Sequence, residues 1–191
     1  VGGSISGAVA IGGAVNAKVL GTAHALACVQ EPNKTLSGID VAANVINAEL
    51  GATQSARIQN VNLTAGAVSV LSELNKGKTD GATATLSGSG TGVTLVEVNV
   101  NTATATANNT ANAFVEGAAI TCSSISVKVD ATSHALTETK DESSIGFAGL
   151  GVTVVEAKAN GTFSAYLKTS SVTAGSGGVG GSVIVSPTAT S

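Results

Sequence analysis

Hydrophobic and polar residues alternate in several short stretches of this chain: VEVNV from Val96 to Val100, SISVKV from Ser124 to Val129, and GSVIV from Gly181 to Val185. A period of two sends successive side chains to opposite faces, so these stretches predict strands, and the Gly, Asn and Ser residues between them predict turns. One segment also fits a helix. Ile39, Ala42, Ala43, Ile46 and Leu50 fall on one helical face, with Ser37 and Asp40 as a capping box and Gly51 as a stop. Internal similarity favours strand there, because Ala48 to Gly66 aligns without a gap on Ala157 to Gly175 inside the strand-rich C-terminal part.

That similarity is one of several. Sliding the chain along itself until Ser4 meets Ser144 also superposes Ile5, Ala8, Val15, Ala17 and Lys18 on identical residues at Ile145, Ala148, Val155, Ala157 and Lys158. A second alignment lays Gly92 to Glu97 on Gly151 to Glu156. A third matches Thr53, Ser55, Ala56, Thr64, Ala65 and Gly66 to Thr162, Ser164, Ala165, Thr173, Ala174 and Gly175, and a fourth pairs TAHAL at Thr22 with TSHAL at Thr132. The common element is T-x-x-A: Thr22 with Ala25, Thr53 with Ala56, Thr79 with Ala82, Thr110 with Ala113, Thr132 with Ala135 and Thr162 with Ala165. The numbers of successive threonines differ by 31, 26, 31, 22 and 30, a mean of 28. At a constant offset of ten after Thr53, Thr110 and Thr162 comes an apolar residue, then Thr, then a small residue: Leu63-Thr64-Ala65, Ile120-Thr121-Cys122 and Val172-Thr173-Ala174. Looser versions are Leu36-Ser37-Gly38 and Leu86-Ser87-Gly88.

A strand unit of about 28 residues cannot bury its apolar face alone, whereas stacked units bury a continuous column. Parallel stacking makes the crossover right-handed. The expectation is a single all-β domain over residues 1–191, a right-handed parallel β-solenoid, or β-helix, of about six or seven turns. Ala25, Ala56, Ala113, Ala135 and Ala165 are expected to form one inward column and Glu116 to lie outside.

Composition sharpens this. A mass of 18.3 kDa over 191 residues is roughly 96 Da per residue against the ~110 Da of average usage. Aromatics are 2%, and Met and Trp are absent, so the interior must be thin and filled by small side chains. Nine basic and twelve acidic residues provide no stripe for phosphate neutralisation, which argues against nucleic acid as a partner. A hydrophobic content of 43% argues against disorder. No run approaches the ~18 apolar residues of a membrane span, so membrane insertion is not expected. The sequence opens at Val1 without a charged and then apolar leader, so a processed product or a segment of something longer is expected. Cys28 and Cys122 stand apart from any C-x-x-C or Cys/His cluster and are expected to be two small buried thiols. N-x-T triplets begin at Asn33, Asn62, Asn108 and Asn160.

GFAGLGVTVVEAKANGTFSAYLKTSSVTAG and LGATQSARIQNVNLTAGAVSV resemble the repeat units of very large bacterial surface and secreted proteins, the haemagglutinin- or leukotoxin-like adhesins and autotransporter passengers. Their pattern is an apolar V-x-V-x strand, an N-x-T turn, an A-[YF]-[IL] strand and a V-T-A-G bend. The turn is met here only by Asn160-Gly161-Thr162 and, after an inserted TATATA, by Asn108-Asn109-Thr110. The resemblance implies an extended extracellular stalk or fibre at a cell surface, with a host or surface receptor as a possible partner, and no catalytic residues or cofactor.

Other chemistry fares less well on the residues. A polysaccharide-active enzyme needs paired carboxylates and aromatic platforms. Glu97 and Glu156, equivalent in the second alignment and with Asn16 and Asn47 in the same column, are expected two turns or roughly 10 Å apart. His24 and His134 share a slot of the T-x-x-A unit but are expected four turns or roughly 19 Å apart, outside one coordination sphere. The charged stretch from Thr137 to Ser144 lacks the spacing of a calcium loop and is expected to be a solvated protrusion. The six threonines suggest an ice-binding array, yet the column two positions on reads His24, Ser55, Gly81, Asn112, His134 and Ser164, which is irregular. Catalytic, cofactor and metal residues are therefore expected to be none. The first segment has no charge before Lys18, the last has none after Lys168, and only Pro187 is placed to block an edge. Neutral, β-prone ends predict head-to-tail self-association or continuation into further repeats.

Overall fold

A parallel strand cannot satisfy its backbone groups alone, so each strand in this chain meets a partner far away in sequence. The computed structural model describes residues 7–30, 37–79, 81–87, 93–140, 145–175 and 181–190. The chain is all-β, and among the described residues there is no helix. It passes through the same four sheets in the same order three times and begins a fourth. The first pass is β1 (Gly7–Ile11), β2 (Val15–Gly21), β3 (Ala25–Gln30), β4 (Ser37–Leu50) and β5 (Thr53–Gln59). The second is β6 (Val61–Ala65), β7 (Ala67–Leu74), β8 (Ala82–Ser87) and β9 (Val93–Glu116). The third is β10 (Ala119–Cys122), β11 (Ser124–Thr132), β12 (Ala135–Lys140) and β13 (Ile145–Lys168), followed by β14 (Ser171–Ala174) and β15 (Ser182–Thr190).

Sheet A has the order β1-β6-β10-β14, sheet B β2-β7-β11-β15, and sheet C β3-β8-β12. In sheet D, β9 lies between β13 and the pair β4 and β5. Every pairing is parallel, and the wall is a nearly closed, barrel-like one. The register is long: Ala25 faces Ala82 and Ala82 faces Ala135. Thr53 faces Thr110 and Thr110 faces Thr162. Ile125 faces Val183.

Each pass is therefore about twice the expected repeat unit, which corrects that unit and the six or seven turns built on it. Each pass carries T-x-x-A twice, once entering sheet C and once inside sheet D. The expected single column of five alanines is instead two columns of three, Ala82 joining them: Ala25, Ala82 and Ala135 in one, Ala56, Ala113 and Ala165 in the other. The alignments of Ser4 on Ser144 and of Gly92 on Gly151 correspond to no pairing. Val15 meets Val68 while Val155 meets Ala103, and Glu97 meets Asp40 and Gly149 rather than Glu156.

Residues 37–50 are strand, with Ile46, Ala48 and Leu50 buried and Val41, Val45, Asn47 and Glu49 exposed. The helical spacing loses because β9 supplies a partner for this backbone along its length. The interior divides in two. Sheets A and B enclose one core with the C-terminal half of sheet D, through Ile58, Leu63, Val70, Ala113, Val115, Ile120 and Val127. The other is a thin sandwich of sheet C on the remaining half of sheet D, filled largely by Ala48, Ala82, Ala84, Ala103, Ala105 and Ala107. Methyl side chains bring those two layers together, which is why the chain needs so few large residues.

The corners repeat. Between sheets D and A the backbone turns through a left-handed residue on every pass: Asn60 at φ 51°, Gly117 at 61° and Thr169 at 49°. The corner between sheets A and B is where Leu63-Thr64, Ile120-Thr121 and Val172-Thr173 stack in register. There Gly66 N donates to Gly13 O and Ser123 N to Gly66 O, tying one pass to the next. Of the looser motif copies, Leu86 and Ser87 lie in sheet C instead, and Leu36 and Gly88 lie outside the described residues.

Candidate functional site

Sheet D is the largest surface of the molecule, because β9 and β13 are long strands in continuous register. Its inward side supplies both cores, so its outward side is free to carry function. Towards the C-terminal end that outer face is a set of ladders in which like meets like across passes. Asn160 Nδ2 donates to Asn108 Oδ1 at 3.1 Å, and Ser164 Oγ donates to Asn112 Oδ1. Thr53, Thr110 and Thr162 form the column between them. The Phe114 and Tyr166 rings stack with centroids 5.0 Å apart and planes 2° from parallel, in line with Arg57. Glu116 closes the row, accepting from Gln59 Nε2 at 3.0 Å and pairing with Lys168 at 2.7 Å. Glu116 is thus outward, as expected, but in a three-membered polar row rather than free in solvent.

Towards the other end the same face turns aliphatic. Ile39, Val41 and Val45 lie on β4, Val96, Val98 and Val100 on β9, and Leu150, Val152 and Val154 on β13, in shared columns. Val100, on the middle strand, is 47% exposed and Val45 is 79% exposed. Val98 is half-buried. The block ends at a charged column of Glu49, Thr106 and Lys158, with Glu156 beside Lys158 at 2.7 Å.

A second polar group gathers where sheet B gives way to sheet C. Glu73 and Asp130 occupy facing positions on β7 and β11. Lys76 bridges them at 2.8 and 2.7 Å, and Lys18 adds a contact to Glu73 at 3.3 Å. The hydrogen bond from Lys76 holds the Glu73 carboxyl below the usual range, and the hydrogen bonds to Asp130 and Glu73 push the Lys76 ammonium pKa up. Beneath them Asn75 brackets the first pass, accepting from Ala23 N at 2.7 Å and donating to Ala23 O at 3.0 Å. Gln54 Nε2 donates to Ser72 Oγ, and Ser133 Oγ to Ala107 O. The recess beside Asn75, lined by Thr22, Ala23, His24 and Lys78, holds about 190 Å³, below the ~300 Å³ at which small-molecule sites begin. These contacts tie each pass to the next, and the Gln54 and Ser133 bonds also link sheet D to the strands opposite it.

His24 and His134 flank Gly81, two passes apart or roughly 10 Å, rather than four turns apart. Gly81 is glycine for a steric reason: a Cβ there would collide with the His134 carbonyl oxygen. Glu156 faces Thr104, and Glu97 has no register partner among carboxylates except Asp40. Among the described residues no group of three or more His, Cys, Asp or Glu is placed to hold a metal. Both cysteines are free, Cys122 buried in the larger core and Cys28 exposed, which corrects the expectation of two buried thiols. Cys28 lies on an outermost strand, where the side chain turned away from the alanines meets solvent. Thr137 to Lys140 belong to β12, so only residues 141–144 of the charged stretch remain as a connection, and these lie outside the described residues. Asn62, Asn108 and Asn160 are exposed on strands, and Asn33 lies outside the described residues.

The two ends of the strand stack are the remaining surface. Among the described residues no strand pairs with the outer edges of the first-pass strands, nor with those of β12, β13, β14 and β15. Leu20, Leu26 and Ile39 are exposed at one end and Val155, Val183 and Ile184 at the other. Pro187 sits on β15 opposite Val129. The outer segments 1–6, 176–180 and 191 lie outside the described residues. Neither the ladders nor the aliphatic block was singled out from the sequence. The signal for both was the match of Thr53 to Thr162, which is two register steps, Thr53 to Thr110 and Thr110 to Thr162. Comparison with protein families, with curated proteins and with solved structures found no match to this chain.

Proposed function

We propose that this chain is a section of an extracellular right-handed parallel β-solenoid, serving a bacterial cell-surface protein as stalk, adhesive segment or filament subunit, without catalysis. The observation that carries this reading is the register: each pass adds in parallel onto the equivalent strands of the pass before, and among the described residues both ends leave strand edges open. A chain built that way extends by adding passes, either its own or those of another copy. The adhesin resemblance in the GTFSAYLKTSSVTAG and LTAG bends supports the setting. Their Leu63-Thr64 and Val172-Thr173 parts stack in register through Ile120-Thr121, at the end of sheet A that leads into sheet B. The partner at each end is then a further pass, and a host or surface receptor would meet the sheet faces.

Light scattering with electron microscopy tests it: thin filaments or concentration-dependent oligomers are expected from the isolated chain. A monomer at every concentration, whose outermost strands resist amide exchange as strongly as the central ones, would overturn it. So would ice shaping or glycan cleavage by the purified chain.

A further inference from the structure

We infer that the aliphatic block on the outer face of sheet D pairs with the same block of a second copy, about a two-fold axis parallel to the strands. This contact leaves the ends of the stack uninvolved. Val96 and Val100 lie on the middle strand, covered by a neighbour on each side, yet they remain 41% and 47% exposed. A block of aliphatic side chains three strands wide on an outer sheet face is the kind of surface that a partner covers.

The charges choose the partner. A two-fold axis along the strands keeps each column over itself and reverses the order of the strands. Val100 then meets Val100 of the partner subunit, and Val45 meets the partner's Val154. At the edge of the block, Glu49 on the first-pass strand falls over the partner's Lys158 on the third-pass strand, and the reciprocal pair forms at the same time. Both side chains are exposed, and Lys158, which also pairs with Glu156 of its own strand at 2.7 Å, is shared between the two carboxylates. The other in-plane two-fold axis, across the strands, sets Glu49 over aliphatic residues with no cation opposite. Strands of the two copies run in the same direction, which suits aligned packing of sheets about 10 Å apart. The four columns from Ile39 to Val45 and the two polar columns of Asn47 and Glu49 beyond them, by three strands, give roughly 33 by 14 Å, or about 900 Å² for both copies, below the ~1,200 Å² of stable interfaces. The pairing is therefore weak and reversible for one chain, and multiplies where passes are repeated along a longer molecule.

Sedimentation equilibrium on the full chain tests this with wild type, V100K, E49K, K158E and the double reversal E49K/K158E. Circular dichroism and melting confirm that each variant folds, and the exposed charge variants keep the test open should V100K not fold. Wild type is expected to dimerise reversibly, V100K to weaken dimerisation about tenfold or more, each single reversal to weaken it severalfold, and the double reversal to recover most of the loss. The inference is overturned if wild type stays monomeric up to about 1 mM. It is also overturned if V100K associates as wild type does, which would assign association to the open ends, or if the double reversal is no better than the singles. Binding of a monomeric wild type to phosphatidylcholine vesicles would assign the block to lipid and likewise overturn it.

Discussion

Ala113 has no solvent exposure and stands between Ala56 and Ala165 in the middle of its column. Each methyl there is matched to the strand spacing, so Ala113→Leu is expected to cost on the order of 1–3 kcal/mol by overpacking, read as a fall in the urea midpoint. A little further along the strand, Glu116 behaves differently from the neutral outer position that alternation alone predicts. Lys168 first, and then Gln59, hold its carboxyl below the usual glutamate range. A lowered folded pKa means that the unfolded chain binds the proton more readily. The stabilisation is therefore present above the unfolded value of about 4.3 and is lost as pH falls through the folded one. Wild type is expected to melt above Glu116→Gln at pH 7, with the gap closing below about pH 4 and narrowing in salt. Glu116→Lys sets two ammonium groups on facing positions and should melt lower than Glu116→Gln at pH 7. An equal melting temperature for the two variants in low salt would remove the ion pair from the account.

The elements are joined by corners whose geometry does not depend on sequence identity. Asn60, Gly117 and Thr169 all adopt the left-handed conformation. Asparagine and glycine tolerate it, whereas a β-branched threonine does so at a cost of about 1–2 kcal/mol. Thr169→Gly is expected to stabilise the chain by up to about 1 kcal/mol. Gly117→Val is expected to destabilise it, since a Cβ at 117 would also stand 2.6 Å from Asn60 Oδ1. Thermal melts of the two variants should move in opposite directions; movement in the same direction would place the strain elsewhere. The corners show why strands were legible and the period was not. Alternation in VEVNV and SISVKV needs only local reading, and it is their placement along the chain that depends on distant partners. The Ile39 to Leu50 segment shows this, since its helical spacing fails only when β9 is beside it. The pass length was present in the T-x-x-A motif, but between alternate copies: Thr22 to Thr79, Thr53 to Thr110, Thr79 to Thr132 and Thr110 to Thr162 are all nearly equal steps. Each half of a pass resembles the other because both are strands that bury alanine against alanine, so half a pass looked like a whole one. The aliphatic block was illegible for the same reason: its columns exist only once Val45, Thr102 and Val154 are known to be neighbours.

At the scale of the molecule, protection should follow position in the stack. Among the described residues, β7 and β9 are covered on both edges, while β1 to β5 on one side and β13 to β15 on the other are covered on one. Amide exchange is expected to be slowest in β7 and in residues 99–115 of β9, faster in β13 despite its equal length, and fastest in β1 and β14. Uniform protection along β9 and β13 would show that the stack opens as one unit. Folding is expected to be slow, in the range of seconds or longer, because every sheet pairing closes a long loop before it is rewarded.

The Asn75 bracket, the corner bonds and the sheet ladders all join one pass to the next, and they point in one direction. Inter-strand hydrogen bonds lie across the strands, so a load applied along the stacking direction through whole layers is shared by the bonds of four sheets at once. A load applied to one chain end instead strips β15 from β11 bond by bond, as a zip opens. The same set of contacts is thus strong when pulled as a rod and weak when pulled as a thread, and the way the chain is gripped decides which strength is met.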